Sequence, residues 1–175
     1  LLKESLYYVP EENKVGDEQI TVTVEDLTSK KTQRVEATLP VFIYPDCSLP
    51  SLRVPSMITL NEDSATTLNA SISPSSCEFD IDLNISTSSG KISHVSSDEI
   101  EVTDIYNGVS GSGSNKAWNL ALQKIVYTSD SNHYTIGRDL VVIKFEIGMK
   151  NQKEEYESAR RETLVQIKSV PDPHT

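Results

Sequence analysis

The 175-residue chain holds few side chains able to do covalent chemistry. It has three histidines, His94, His133 and His174, and two cysteines, Cys47 and Cys77. None of the histidines sits in a nucleophile motif, so nothing points to a Ser/His/Asp triad. This set is too small for a zinc site of the usual Cys/His kind. Neither cysteine has the neighbours of a reactive thiol. Glu11-Glu12 and Asp98-Glu99 pair carboxylates in sequence, but no spacing sets them across a cleft as glycoside hydrolysis requires. Gly108-Val109-Ser110-Gly111-Ser112-Gly113 is glycine-rich, yet it lacks the lysine and the strand-to-helix setting of a phosphate loop. Trp118 could stack on a sugar; beside Leu122 it is expected to anchor a core instead. No catalytic residue is expected, and the chain reads as a non-enzyme.

Two acceptor patterns for N-linked sugar occur, Asn69-Ala70-Ser71 and Asn84-Ile85-Ser86. The formal charge of -10, from 26 acidic and 16 basic residues, argues against a nucleic-acid partner. No apolar run approaches the roughly 20 residues that span a bilayer, so no membrane contact is expected from this segment. At 37% hydrophobic residues the composition allows a packed core and is not that of a disordered chain. The chain opens at Leu1 with no Met and no signal-like stretch, and so reads as a piece of something longer.

Strands must position these groups, because the dominant hydrophobic period is two. In Phe79-Asp80-Ile81-Asp82-Leu83-Asn84-Ile85-Ser86 every odd residue is apolar and every even one polar. One face of that strand meets a core, and Asn84 falls on the other, where a sugar would stand in solvent. Val141, Ile143, Phe145 and Ile147 repeat the pattern, as does Ile20-Thr21-Val22-Thr23-Val24. Weaker candidates are 58–60, 68–72, 100–102, 125–127 and 163–167. Ser88-Ser89-Gly90 predicts a tight turn, and 107–114 a flexible loop. The residues Ala117 to Gln123 predict one or two helical turns capped by Ser114 or Asn115. Lys150 to Glu162 has helical propensity, but its place between two strand candidates favours a long charged hairpin. The spacing of strands and turns predicts an all-β, antiparallel sandwich.

The sequence also matches itself at an offset of about 120 residues. Tyr8 aligns with Tyr127, Gly16-Asp17-Glu18 with Gly137-Arg138-Asp139, Thr38-Leu39 with Thr163-Leu164, and Pro45-Asp46 with Pro171-Asp172. These matched residues are read chiefly as determinants of fold.

The order of Asn61-Glu62-Asp63, Ser89-Gly90-Lys91-Ile92, Trp118-Asn119-Leu120-Ala121-Leu122, Ile125-Val126-Tyr127, Asn132 and Gly137-Arg138-Asp139 resembles a cadherin-like, Ig-like β-sandwich repeat. Such repeats occur in tandem in large surface proteins. The resemblance implies the C-terminal half of one repeat over 1–46, a Pro-rich linker over 47–55 and a complete repeat over 56–172. Calcium-dependent cadherins gather roughly six to eight oxygens per ion, and this linker offers Asp46 alone. A joint free of metal is therefore expected at Asp46 and the Pro45–Pro50 stretch, with Glu62 and Asp63 near it. Asp46, Glu62, Asp63, Glu25 and Asp26 are the calcium candidates if an ion binds. Two cysteines in a secreted β domain imply a Cys47–Cys77 disulfide. By the same resemblance the chain would be extracellular, a spacer, adhesin or filament component whose partners are neighbouring repeats and other surface or filament proteins. The alternative reading is a ligand- or glycan-binding β-sandwich of a secreted receptor or enzyme.

Overall fold

A computed structural model describes residues 7–11, 14, 16–28, 30–31, 33–44, 47–75, 77–94, 100–151 and 153–171. The contacts divide the chain into two units, Leu1–Asp46 and Cys47–Thr175. Both are β-rich.

In the first unit, β1 (Gly16–Asp26) pairs antiparallel with β2 (Gln33–Ile43) along its whole length. The register sets Ile20 against Leu39, Val22 against Ala37 and Val24 against Val35. Phe42, opposite Asp17, falls on one face, while period-two alternation puts these apolar residues of both strands on the other. That face is open within the unit: Val24 and Val35 are 62% and 67% exposed. Asp26 shapes the turn, its Oδ1 accepting from the Thr28 amide at 2.8 Å and the Thr28 hydroxyl at 2.7 Å.

The second unit begins inside the Pro-rich interval, where β3 (Leu52–Arg53) pairs with β6 (Ser71–Ile72). A six-stranded sheet contains β4 (Met57–Asn61), β7 (Ile81–Thr87), β9 (Glu101–Ile105), β10 (Gly108–Gly113), β12 (Val141–Lys150) and β13 (Tyr156–Lys168). Its order is β4-β13-β12-β7-β10-β9, antiparallel except where β4 runs parallel to β13. A smaller sheet holds β5 (Ala65–Thr67), β11 (Val126–Thr128) and β8 (Lys91–Ser93). The protein is therefore mostly β and rich in antiparallel pairing, as the hydrophobic period requires.

The alternation in β7 and β12 is what buries the core. Ile81, Leu83 and Ile85 of β7 join Ile143, Phe145 and Ile147 of β12 in one cluster with Leu68, Ile92 and Tyr127. Burying each such side chain contributes roughly 1.5–3 kcal/mol. The 150–162 stretch is a hairpin between β12 and β13, with Lys150 opposite Tyr156. Strand pairing overrides helical propensity here: the stretch continues the β12–β13 ladder whose inner part buries Ile143, Ile147 and Val165.

The stretch 107–114, expected as a flexible loop, is instead mostly strand: β10 lies between β7 and β9. Its small residues admit the neighbours that bury it. A Cβ on Gly111 would come within 3.3 Å of the Trp118 ring, and one on Gly113 within 2.9 Å of Ile100. Missing side chains thus serve here as space for packing, whereas in a loop they serve as freedom.

One helix, α1 (Asn115–Leu122), crosses this region. The Ser114 hydroxyl caps it by accepting from the Ala117 amide at 3.2 Å. Its buried residues, Ala117, Trp118, Ala121 and Leu122, lie on one stripe. On its flank Asn119 acts as a piece of strand: its Oδ1 accepts from the Ile72 amide at 2.9 Å and its Nδ2 donates to the Ile72 carbonyl at 3.0 Å. Ile72 is 3% exposed, so loss of that side chain would leave two buried backbone groups unpaired. Asn119→Ala is expected to cost about 2–3 kcal/mol. Faster hydrogen exchange at the Ile72 amide, at full helix content, is the accompanying signature; unchanged exchange there would refute this role.

Candidate functional site

Cys47 and Cys77 form a disulfide, with Cα atoms 5.8 Å apart. It closes the ends of the segment that contains β3 to β6, and Cys47 is buried. The Cys pairing expected for a secreted β domain is thus present.

The acidic candidates are held by the chain itself. Glu62 Oε1 accepts from the Val170 amide at 2.7 Å and the Ser169 hydroxyl at 3.2 Å. Asp63 Oδ1 accepts from the Asn132 amide at 3.2 Å. Glu25 lies 4.0 Å from Arg34, and Asp26 serves the β1–β2 turn. Asp46 lies outside the described residues, as do Pro45, Glu12, Asp98, Glu99 and His174. Among the described residues no group of three or more His, Cys, Asp or Glu gathers as metal ligands do. His94 Nδ1 lies 3.6 Å from Asp104, and the His133 amide donates within a turn to the Asp130 carbonyl at 3.4 Å. Trp118 is wholly buried and its indole nitrogen donates to the Ile81 carbonyl at 2.7 Å, so it offers no surface for a sugar.

Tyr127, singled out by the internal repeat, lies at the centre of a second constellation. Asp130 Oδ2 accepts from the Ser89 hydroxyl at 2.7 Å and the Gly90 amide at 2.9 Å, and those bonds hold its pKa below the usual value. They draw the Ser88-Ser89-Gly90 turn over the Tyr127 ring. Gly90 has φ +79°, and a Cβ there would lie 2.5 Å from the Thr128 carbonyl oxygen. The turn can therefore close only with glycine. Tyr127 is fully buried and its hydroxyl has no hydrogen-bond partner among the described residues.

Burial first, and the charge of Asp130 second, push the Tyr127 pKa up to about 12. The folded protein thus keeps a proton that the unfolded chain releases near pH 10. Stability from this group is complete below pH 10 and lost as pH rises to about 12, at about 1.4 kcal/mol per pH unit. Tyr127→Phe is expected to retain more stability than the wild type between pH 10 and 12. Parallel pH–stability curves for the two proteins would contradict this.

The outer face of the six-stranded sheet carries a site that the sequence does not announce. Strand register lays polar side chains in two rows across it. One row runs Arg160, Glu146, Asn84, Ser110, Thr103; the next runs Ser158, Gly148, Asp82, Ser112, Glu101. Small residues at 110, 111 and 112 leave a trough of about 640 Å³, bounded on one side by Tyr156. A Cβ on Gly148 would fall 2.2 Å from the Tyr156 hydroxyl, so the aromatic side chain lies across the glycine. The Tyr156 hydroxyl donates to Asp82 Oδ2 at 3.4 Å, and Arg160 to Glu146 Oε1 at 3.3 Å. Partial burial, then the Asp82 charge, raises the Tyr156 pKa. Such a surface offers hydroxyls, carboxylate acceptors and one aromatic face, a set suited to a polyol.

Asn84 is exposed and lines this trough; it does not stand alone in solvent. Asn69 is exposed too, with φ +51° at the break between β5 and β6. Period two marked Asn84 and Asp82 as outward-facing. The same period in β12 marks Glu146 as outward-facing too, but it carried no sign of Tyr156, Ser110 or Thr103, and all four reach the trough through pairing between distant strands.

Fold and site together define an all-β protein, rich in antiparallel pairing, whose second unit is tied by one disulfide. Among the described residues no helix is long and apolar enough to cross a membrane. Comparison with family models and with curated proteins finds no match to this chain.

Proposed function

We propose that the chain is a non-enzymatic module of an extracellular surface protein, built from cadherin-like, Ig-like β-sandwich repeats in tandem and acting as spacer, adhesin or filament component. The observation that carries this reading is a pair of matching hairpins. Ile20 pairs with Leu39 and Val141 with Val165. The same correspondence joins Gly16 to Gly137, and Pro45 to Pro171. Both glycines take positive φ, +104° and +62°. This register moves the match for Leu39 one residue, from Leu164 to Val165. In the second unit the apolar residues of the hairpin share one buried cluster with Leu68, Ile92, Trp118 and Tyr127, which suits a sandwich core. In the first, the equivalent face is open. It is the face that the other half of a repeat would cover. The disulfide suits an oxidising compartment.

Labelling of intact source cells with a membrane-impermeant amine reagent tests the location. Labelled peptides from this chain with Cys47 and Cys77 oxidised support the proposal. Labelling only after lysis, with both thiols free, overturns it. The trough bounded by Tyr156 favours a second reading, a domain that binds an external glycan, and a glycan array probed with the unglycosylated chain decides it.

A further inference from the structure

From the trough and the sequon at its floor we infer that the outer sheet face is the seat of a sugar carried by the protein itself, the first N-acetylglucosamine of a glycan on Asn84. The inference rests on the extracellular reading, since N-linked sugar is added in the secretory pathway.

Four observations meet at this place. Asn84-Ile85-Ser86 is an acceptor sequon, and the Asn84 side chain is exposed on a strand interior to the sheet. The trough that it lines is about 640 Å³, within the range of about 300–1,000 Å³ typical of small-ligand sites. Asp82 lies on the same face two residues away, about 6.7 Å along the strand. Beyond it Tyr156 lies across Gly148, 57% exposed, with its hydroxyl on Asp82. A sugar ring rooted at Asn84 can therefore set its C–H face towards the Tyr156 ring. Its hydroxyls and N-acetyl group meet acceptors and donors at Asp82, Ser110 and Ser112.

Two alternatives fit less well. The carboxylates do not form a metal-ligand group, and Glu146 is engaged by Arg160. A free sugar would need affinity of its own in an open, shallow trough. A tethered one is present at an effective concentration in the millimolar range or above, so weak contacts suffice to seat it. The trough and the sequon then have one explanation, and the glycan covers polar sheet surface that would otherwise lie bare.

The test secretes the full chain from a eukaryotic host behind a heterologous leader, so its result does not depend on where the natural chain resides. Wild type, Ser86→Ala, Tyr156→Ala and the double variant are compared after trimming to one N-acetylglucosamine. Asn69 keeps its sequon in all four, so the differences report Asn84. Peptide mapping is expected to find sugar on Asn84 in wild type and in Tyr156→Ala. Its N-acetyl methyl resonance is expected to be shifted by the Tyr156 ring and to lose that shift in Tyr156→Ala. Wild type should melt roughly 2–4 °C above Ser86→Ala, with no such gap in the Tyr156→Ala background. An occupied Asn84 with an unshifted methyl and the same gap in both backgrounds overturns the seat while leaving the extracellular reading intact. A bare Asn84 overturns it as well. So does binding of free N-acetylglucosamine oligomers by Ser86→Ala at micromolar concentration, which would assign the trough to an external ligand.

Discussion

Trp118→Ala is expected to lower the stability of the second unit by about 4–5 kcal/mol, the upper part of the range for removing a buried aromatic side chain. Trp118 is wholly buried. Its indole nitrogen holds the Ile81 carbonyl at 2.7 Å, and its ring lies beside Gly111, where an added Cβ would come within 3.3 Å of it. Truncation would open a cavity between α1 and the six-stranded sheet and take from the Ile81 carbonyl the hydrogen bond of the indole. Domains are stable by about 5–15 kcal/mol in all, so this single change takes the unit close to the folding threshold. Trp118→Phe should lose less, because it keeps a ring and forfeits chiefly the hydrogen bond. Gly111→Val attacks the same region from the other side and should be similarly harmful, since its Cβ would lie 2.6 Å from the Glu101 carbonyl oxygen and 3.3 Å from the indole. Urea unfolding of the four proteins measures this. A midpoint that hardly moves in Trp118→Ala would remove Trp118 from the centre of the core.

Loss of the Cys47–Cys77 disulfide has the next largest expected effect. The cysteines are 30 residues apart in sequence. Cross-linking across that distance restrains the unfolded chain by about 3–4 kcal/mol in the loop-entropy treatment. The enclosed segment includes β3, β5 and β6, which have two or three residues each. Such short strands gain little from their own pairing, so the cross-link bears more of the burden of keeping β3 against β6. Cys47→Ala/Cys77→Ala, or reduction of the wild type, should lower Tm by about 10 °C. The double variant should expose the Leu52 and Ile72 amides to exchange before the Ile143 and Phe145 amides. Identical melting with and without reductant would show that the bridge restrains little.

The parts of the fold legible in sequence are those set by local alternation. The strands at Ile81, Val141 and Ile20 repeat with period two, and they occur where that period places them. Helix α1 carries its cap, Ser114, in the residue before it. The Ser88-Ser89-Gly90 turn shows in its residue types, although the grip of Asp130 on it comes from 40 residues away. The glycines of β10 misdirect a local reading. In isolation they signal freedom, and only the neighbours that close on them, Ile85 at Gly108, Glu101 and Trp118 at Gly111 and Ile100 at Gly113, turn them into a packing surface. Strands such as β3 and β6, two residues long, carry too few side chains for any period to appear.

The candidate site divides along the same line. The sequence alone determined the sequon at Asn84, the outward side of its strand, the two cysteines that could bridge, and the scarcity of catalytic groups. Which residues Asn84 would meet was decided by tertiary structure. Backbone hydrogen bonds between strands are much the same for any neighbour and any register. Order and register are instead selected by the buried face, where Ile85 must stand beside Phe145 and Val109 for the core to close. That choice, made inside, brings Glu146, Ser110 and Tyr156 together around Asn84, a grouping that no local pattern specifies.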